Sequence, residues 1–330
     1  MNKNYAIEGL RGILMIWIVL YHYTFVYNQL VMGKTVAFTP VFNNGGAVGV
    51  ELFFVMSGFF LVGPLTNLGG GILDSLKWFS KRYWRLWPAY AISITITFLW
   101  MLLLPVPGRV VDFLSYICNL LFIAHPGVDY VDRAHWYIAA LVELQFLTAV
   151  LCAIKNKKVR VYSLLGILVV LVLLGQASLR LGWERPIELN WFLTGAEGVL
   201  IGICIGLIKE YKICIPILGG LFLWLTHLSW LYAFYISLFC LCAYPINGRI
   251  DSIKDKILGN RVLAWIGGIS FCWYLIHQNI GYSLMYYILP DRTSNLMFLV
   301  MPMIATLFFA IIVSFLSDRI IKQFSKKYES

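Results

Sequence analysis

The chain has 330 residues, 60% hydrophobic and only 13% charged, with a mean hydropathy of +0.79; too little polar surface remains to wrap a soluble globule of that size. The formal charge is +10, but the basic residues fall in short clusters between apolar runs, which is the pattern of cytoplasmic loops and not of a nucleic-acid-binding face. Composition therefore predicts an all-α polytopic membrane bundle in a lipid bilayer, with no nucleic-acid partner.

The first apolar run, Ile13 to Val31, is long enough to span, and it continues past Tyr21, His22 and Tyr23 without a small-residue cleavage site, so it reads as an uncleaved span. Glu8 and Arg11 stand at its entrance and His22 well inside. At about 100° per residue, Arg11 and His22 return to within about 20° of one direction, and Glu8 falls within about 40° of His22. Three ionisable groups on one helical stripe need protein or water beside them. Further spans are expected near 47–66, 84–104, 136–154, 161–181, 190–208, 213–226, 228–246, 262–289 and 296–318, making ten with the first.

A shorter apolar stretch, Phe113 to Ala124, would reach only about 18 Å as a helix against a core of about 30 Å. If it does not cross, one side of the membrane holds 20 of the 26 Lys and Arg residues, including Lys155–Arg160, Arg249–Arg261 and the Arg319–Lys327 tail. The positive-inside rule makes that side the cytoplasm and places both termini there. The stretch near 113–124 is then a re-entrant or interfacial segment. Seven cysteines lie almost entirely within apolar segments with no paired spacing, so neither a disulfide framework nor a metal site is expected. No internal repeat is evident, and the expectation is one membrane-embedded domain over 1–330 with no appended soluble domain.

Four polar or small-residue constellations interrupt the apolar runs. In the second span, Ser57 and Gly58 within Phe53–Phe59 allow close helix approach, and Glu51 lies near the outer entrance. At the cytoplasmic entry of the third, Lys81-Arg82-Tyr83-Trp84-Arg85 puts Arg82 and Arg85 on one face, where two guanidinium forks can grip a phosphate or pyrophosphate. Anchoring beside an aromatic belt explains the same residues without a ligand. In the fourth long span Glu143 follows Trp136 by seven residues and needs a partner or water. In the ninth, His277 follows Ser270–Ile276; like His22 it stands fifteen residues above its cytoplasmic helix end, about 22 Å in. His125, His135 and His227 lie near span ends or loops and are weaker candidates.

Taken in order, Glu8-Gly9-Leu10-Arg11-Gly12 with Tyr21-His22, then Phe53–Phe59, then Arg82–Pro88, then Trp273–Gln278 resemble the successive signatures of the acyltransferase 3 family, from near residue 6 to near 318. The resemblance implies a ten-helix enzyme that uses cytoplasmic acyl-CoA, acetyl-CoA above all, to acylate a hydroxyl of a surface polysaccharide or its lipid-linked precursor. It implies that His22 is catalytic, with Glu8 and Arg11 on its stripe. It also implies that Arg82 and Arg85 engage coenzyme A, and that Ser57, Gly58 and Phe59 help form the acyl site. His277, Glu143 and Glu51 are further candidates. Two positions depart from the family pattern. The stretch Trp136–Glu143 has no serines and a longer step to its glutamate, and Glu8 stands where aspartate is more usual. Intramembrane His, Arg and Glu also suit a proton-coupled transporter, against which stand the absence of a repeat and the full motif series.

Overall fold

The computed structural model describes residues 4–30, 46–122, 128–184, 187–228, 230–288 and 296–329, and among them there is no β-strand. The helices are α1 (Tyr5–Tyr21), continued by a π-helical segment (His22–Val26) into α2 (Tyr27–Leu30), α3 (Gly46–Asn67), α4 (Ile72–Leu103), α5 (Phe113–Leu120), α6 (Trp136–Cys152), α7 (Lys157–Arg180), α8 (Ile187–Leu207), α9 (Cys214–Leu228), α10 (Trp230–Ala243), α11 (Gly248–Ile257), α12 (Arg261–Ile288) and α13 (Met297–Glu329). Among the described residues six helices are long and apolar enough to cross a membrane, seven if α10 and α11, bent by 111°, are one broken span. Length and apolarity, measured over the described residues, thus pick out fewer helices than the ten expected spans. The expected span at 213–226 is a helix of 15 residues and the one at 190–208 has an apolar stretch of only Phe192–Leu207. The span at 262–289 is a 28-residue helix carrying the polar run Ser270–Asn279, buried on nearly every face. A helix enclosed by protein needs no lipid-like composition.

The chain forms two compact units. The first comprises 1–49, 86–135 and 238–330, and its centre is the pairing of α1 with α12. Asn4 caps α1 by accepting from the Ile7 amide at 3.1 Å, and its side chain reaches the Cys242 carbonyl at 3.0 Å. The two helices approach through small residues: at Gly267 a Cβ would strike the carbonyl of Glu8, and at Gly12 that of Leu263. Close backbone contact fixes the register of α1 on α12, and that register sets where His22 falls. On the other side of α12, Trp273 donates its indole N–H to Thr306 on α13 at 3.1 Å.

In the same unit the short segment expected at 113–124 contains α5, only 8 residues long and capped by Asp112 through the Ser115 amide. Phe113 and Leu114 are exposed while Ser115 and Asn119 are buried. Asn119 ties the following loop down, donating to the Asp129 carbonyl and accepting from the Val131 amide. Its apolar side faces outward, as an interfacial helix in lipid requires.

The second unit comprises 50–85 and 136–237. Here α3 and α8 meet through Gly58, which lies on the backbone of Val199, and Gly202, which lies on that of Val55. Buried Arg160 donates to the carbonyls of Leu68 at 3.0 Å and Lys155 at 3.5 Å, and Gly71 N–H reaches the Ala153 carbonyl. These bonds stitch the turn before α4 to the turn after α6.

Candidate active site

His22 opens the π-helical segment, where the wider turn loosens the helical ladder; such insertions recur at functional sites. Its Nδ1 lies 2.9 Å from the Ile18 carbonyl and 3.1 Å from Nε2 of His277, with ring centroids 4.8 Å apart. His277 is fully buried, and its own Nδ1 lies 2.8 Å from the Tyr274 carbonyl. A carbonyl can only accept, so in the neutral pair His277 carries its proton on Nδ1 and offers the Nε2 lone pair to its neighbour. His22 then carries its proton on Nδ1, shared between Ile18 and His277, and its own Nε2 keeps a lone pair with no partner among the described residues. His22 is half-buried, so that lone pair belongs to a ring that a reactant can reach.

Several further groups hold this arrangement. Tyr23 reaches the His277 backbone carbonyl at 2.8 Å and Thr306 at 3.1 Å, and its hydroxyl packs against Gly281, where no larger residue fits. Tyr274 donates to the Ala134 carbonyl at 2.7 Å, and Gln278 accepts from the Ala134 amide at 3.0 Å. Buried Asp132 accepts from the amides of Ala134 and Asn279, both at 3.0 Å, and Asn279 donates to the Val131 carbonyl. His135, also buried, pairs its Nε2 with the Leu275 carbonyl at 2.8 Å. The segment 131–135 is thereby clamped to the helical turns that carry His277. Arg109 completes the group, buried at 5% exposure, with Nη1 3.5 Å from Asn279 and its guanidinium 5.3 Å from the Tyr282 ring centre.

The other expected residues fall elsewhere. Glu8 and Arg11 pair with each other, Nη1 lying 3.3 and 3.4 Å from the two carboxylate oxygens. Arg11 is eleven residues before His22, about 16 Å along the axis, so the stripe is real as an angle but not as a cluster. In the second unit Ser57 bonds the Phe53 carbonyl at 2.8 Å and Tyr137 hydroxyl at 3.3 Å, while Gly58 is taken up by helix contact and Phe59 is half-buried. Half-buried Arg82 lies 5.5 Å from the Trp78 ring centre, Arg85 is exposed, and neither has a carboxylate partner among the described residues. Glu51, Thr194, Glu197 and Tyr232 line one small cavity of about 20 Å³. Glu143 is exposed on α6. His125 lies outside the described residues, as does the side chain of His227.

Sequence reasoning did not single out Arg109, Asp132, Asn279 or Tyr23. A signal existed for Arg109, since Pro107-Gly108 before an arginine is a tight-turn pattern that fixes the direction of the next side chain.

Comparison with known proteins gives a family. A family model described as an acyltransferase domain matches residues 4–317. YrhL of Bacillus subtilis, named provisionally as a peptidoglycan O-acetyltransferase, is 29% identical over 128 residues, 36% of this chain and 18% of its own. The peptidoglycan O-acetyltransferase OatA of Listeria monocytogenes is 25% identical over 183 residues, 49% of this chain and 27% of its own. The chain thus spans only about a fifth to a quarter of each relative's length. No solved structure matches it. With nearly its whole length covered by that model, and the signature residues around His22 and His277 assembled in one place, the chain belongs to the acyltransferase 3 family.

Proposed function

We propose that this protein is a membrane O-acyltransferase, in the first instance an O-acetyltransferase. It would move an acyl group from cytoplasmic acyl-CoA to a hydroxyl of a cell-surface polysaccharide or its lipid-linked precursor. The single observation that carries the reading is the His22–His277 hydrogen bond, which together with the Ile18 carbonyl engages Nδ1 of His22 and leaves its Nε2 as a lone-pair base. Both compact units would act as one membrane-embedded catalytic domain with its termini in the cytoplasm, in keeping with a family match that runs unbroken through both.

In this mechanism the acceptor hydroxyl adds to the thioester carbonyl as His22 Nε2 takes its proton. The carbonyl π pair moves to oxygen, giving a tetrahedral oxyanion. Collapse breaks the carbon–sulfur bond, and the thiolate leaves with the proton from His22. His277 positions the imidazole and does not touch the reactants. Arg82 and Arg85 would hold the phosphates of coenzyme A, with Ser57, Gly58 and Phe59 at the acyl chain, roles that the family resemblance supplies. Glu8 and Arg11, paired three turns below His22, would serve at the mouth of the first span.

The test is purified protein in nanodiscs with isotopically labelled acetyl-CoA, with and without membrane glycolipid, followed by mass spectrometry of the glycan. Wild type is expected to label the glycan and His22→Ala to lose about 10²- to 10⁴-fold in rate at normal abundance. Equal labelling by the two would remove His22 from the mechanism, and no labelling or acyl-CoA binding by wild type would remove the reading itself.

A further inference from the structure

A buried guanidinium without a counter-ion is expensive in any protein and more so at membrane depth. Two arginines of the chain are almost fully buried among the described residues, Arg160 at 1% exposure and Arg109 at 5%. They differ in how their donors are used. Arg160 spends its two terminal nitrogens on the backbone carbonyls of Leu68 at 3.0 Å and Lys155 at 3.5 Å, a structural clamp, although its Nε, like that of Arg109, has no acceptor. Arg109 makes one long bond to a neutral amide oxygen, Asn279 Oδ1 at 3.5 Å, and stands beside the Tyr282 ring; its buried Nε has no acceptor. Buried Asp132, in the same group, is turned to the amides of Ala134 and Asn279 and forms no ion pair with it.

The chain also takes trouble to hold Arg109 where it is. The Arg109 amide bonds the Val106 carbonyl at 3.0 Å across Pro107-Gly108, with Gly108 at φ +70°. Proline at the second position and a left-handed glycine at the third define a type II turn, which admits few other residues. Two side chains of α12 staple the same loop, Ser283 to the Leu104 carbonyl at 2.9 Å and Tyr287 to the Pro105 carbonyl at 2.6 Å. Asn279 and Tyr282, the groups Arg109 leans on, lie two and five residues beyond His277 on that helix. The Tyr282 ring beside which Arg109 stands also packs on Tyr23, the residue after His22, with ring centroids 6.3 Å apart.

Resting on the acyltransfer reading above, we propose that Arg109 is a catalytic residue that receives the oxyanion of the tetrahedral intermediate formed at His22. When the acceptor oxygen bonds the thioester carbon, the displaced π pair rests on the carbonyl oxygen opposite the unspent N–H donors of Arg109. When the C–S bond breaks, the pair returns and the guanidinium is again unpaired. A cation fixed beforehand by a turn and two staples needs no reorganisation as that charge develops, which is what makes such a group effective. Lysine cannot replace it, because a single ammonium lacks the planar fork.

The experiment measures kcat and KM separately for acetyl transfer in nanodiscs, for wild type, Arg109→Ala, Arg109→Lys and Arg109→Gln, with membrane abundance and thermal stability recorded alongside. Arg109→Gln retains a donor for Asn279 and so guards against loss of the fold. The expected result is a fall in kcat of about 10²- to 10³-fold for Ala and Gln with KM within about threefold, slight recovery in the Lys variant, and partial rescue of the Ala variant by tens-of-millimolar methylguanidinium. A purely structural residue would not be rescued in kcat by a free guanidinium. Retention of kcat within about threefold, or a loss confined to KM for the acceptor, would overturn the assignment. An inactive wild type, or an active His22→Ala, would instead overturn the acyltransfer reading on which it rests.

Discussion

His277→Ala separates positioning from proton transfer at the paired histidines. His277 is wholly buried and gives His22 one acceptor, at 3.1 Å, for a proton that the Ile18 carbonyl already holds at 2.9 Å. Losing one of two acceptors leaves the tautomer intact and costs orientation alone. A neutral buried hydrogen bond is worth about 0.5–1.5 kcal/mol, so turnover should fall by about twofold to about thirteenfold. Removing the base itself in His22→Ala should cost about 10²- to 10⁴-fold. Glutamine at 277 can place an amide oxygen where Nε2 stood, and His277→Gln should recover most of the loss. Single-turnover acetyl transfer in nanodiscs reads the rates, and thermal unfolding checks that the cavity left by Ala has not loosened α12. If His277→Ala proves as inactive as His22→Ala while the protein remains folded, the proton passes through His277 and the assignment of His22 as sole base is wrong.

Other outcomes follow from the same contacts. The double change Arg82→Lys with Arg85→Lys keeps the charge but loses both forks, so acyl-CoA affinity measured by titration should drop markedly at normal abundance; unchanged affinity would leave the pair as membrane anchors. Gly267→Ala drives a methyl into the Glu8 carbonyl and should cost on the order of 1–3 kcal/mol, seen as a lower unfolding temperature, whereas Gly268→Ala, with open space around it, should not. The Lys254 ammonium at 2.8 Å and the Ile246 amide hold the Asp251 carboxyl below the usual carboxylate range, so its contribution to α11 is present above that range and lost as pH falls through the depressed value. Hydrogen exchange across residues 246–257 should therefore be slower in wild type than in Asp251→Asn at neutral pH, and the difference should vanish in acid.

Composition and hydropathy sufficed for an all-helical membrane protein because a lipid solvent leaves few alternatives. Length and apolarity alone pick out fewer than ten of the described helices as spans, since hydropathy reports the neighbour on the outside and the middle of α12 has almost none. Both histidines were visible at matching depth from residue counts alone, and they do meet. The Glu8–Arg11–His22 stripe shows the limit of periodicity, which measures an angle around the axis and is blind to the distance along it. Arg109 and Asp132 were harder to see, as each lies outside the apolar runs and its partner lies far off in the chain, Asn279 being 170 positions from Arg109. Only the turn chemistry of Pro107-Gly108 hinted that the loop had a fixed shape.

The polar residues of α12 hold His277 in place beside α1. Tyr274, Gln278 and Asn279 are all engaged with residues 131–134, so the backbone that carries His277 is tied down on the side away from α1. Tyr23, one residue after His22, bonds the His277 carbonyl from the α1 side. His277 can move neither toward nor away from its partner without breaking bonds on one of the two sides, and each broken bond would leave a buried polar group unsatisfied. His22 is different: it stands on a π-helical turn and is half-buried. The fixed member of the pair therefore orients its partner, and the half-buried member carries the free lone pair, as a base that must accept a proton from an incoming hydroxyl and then release it requires.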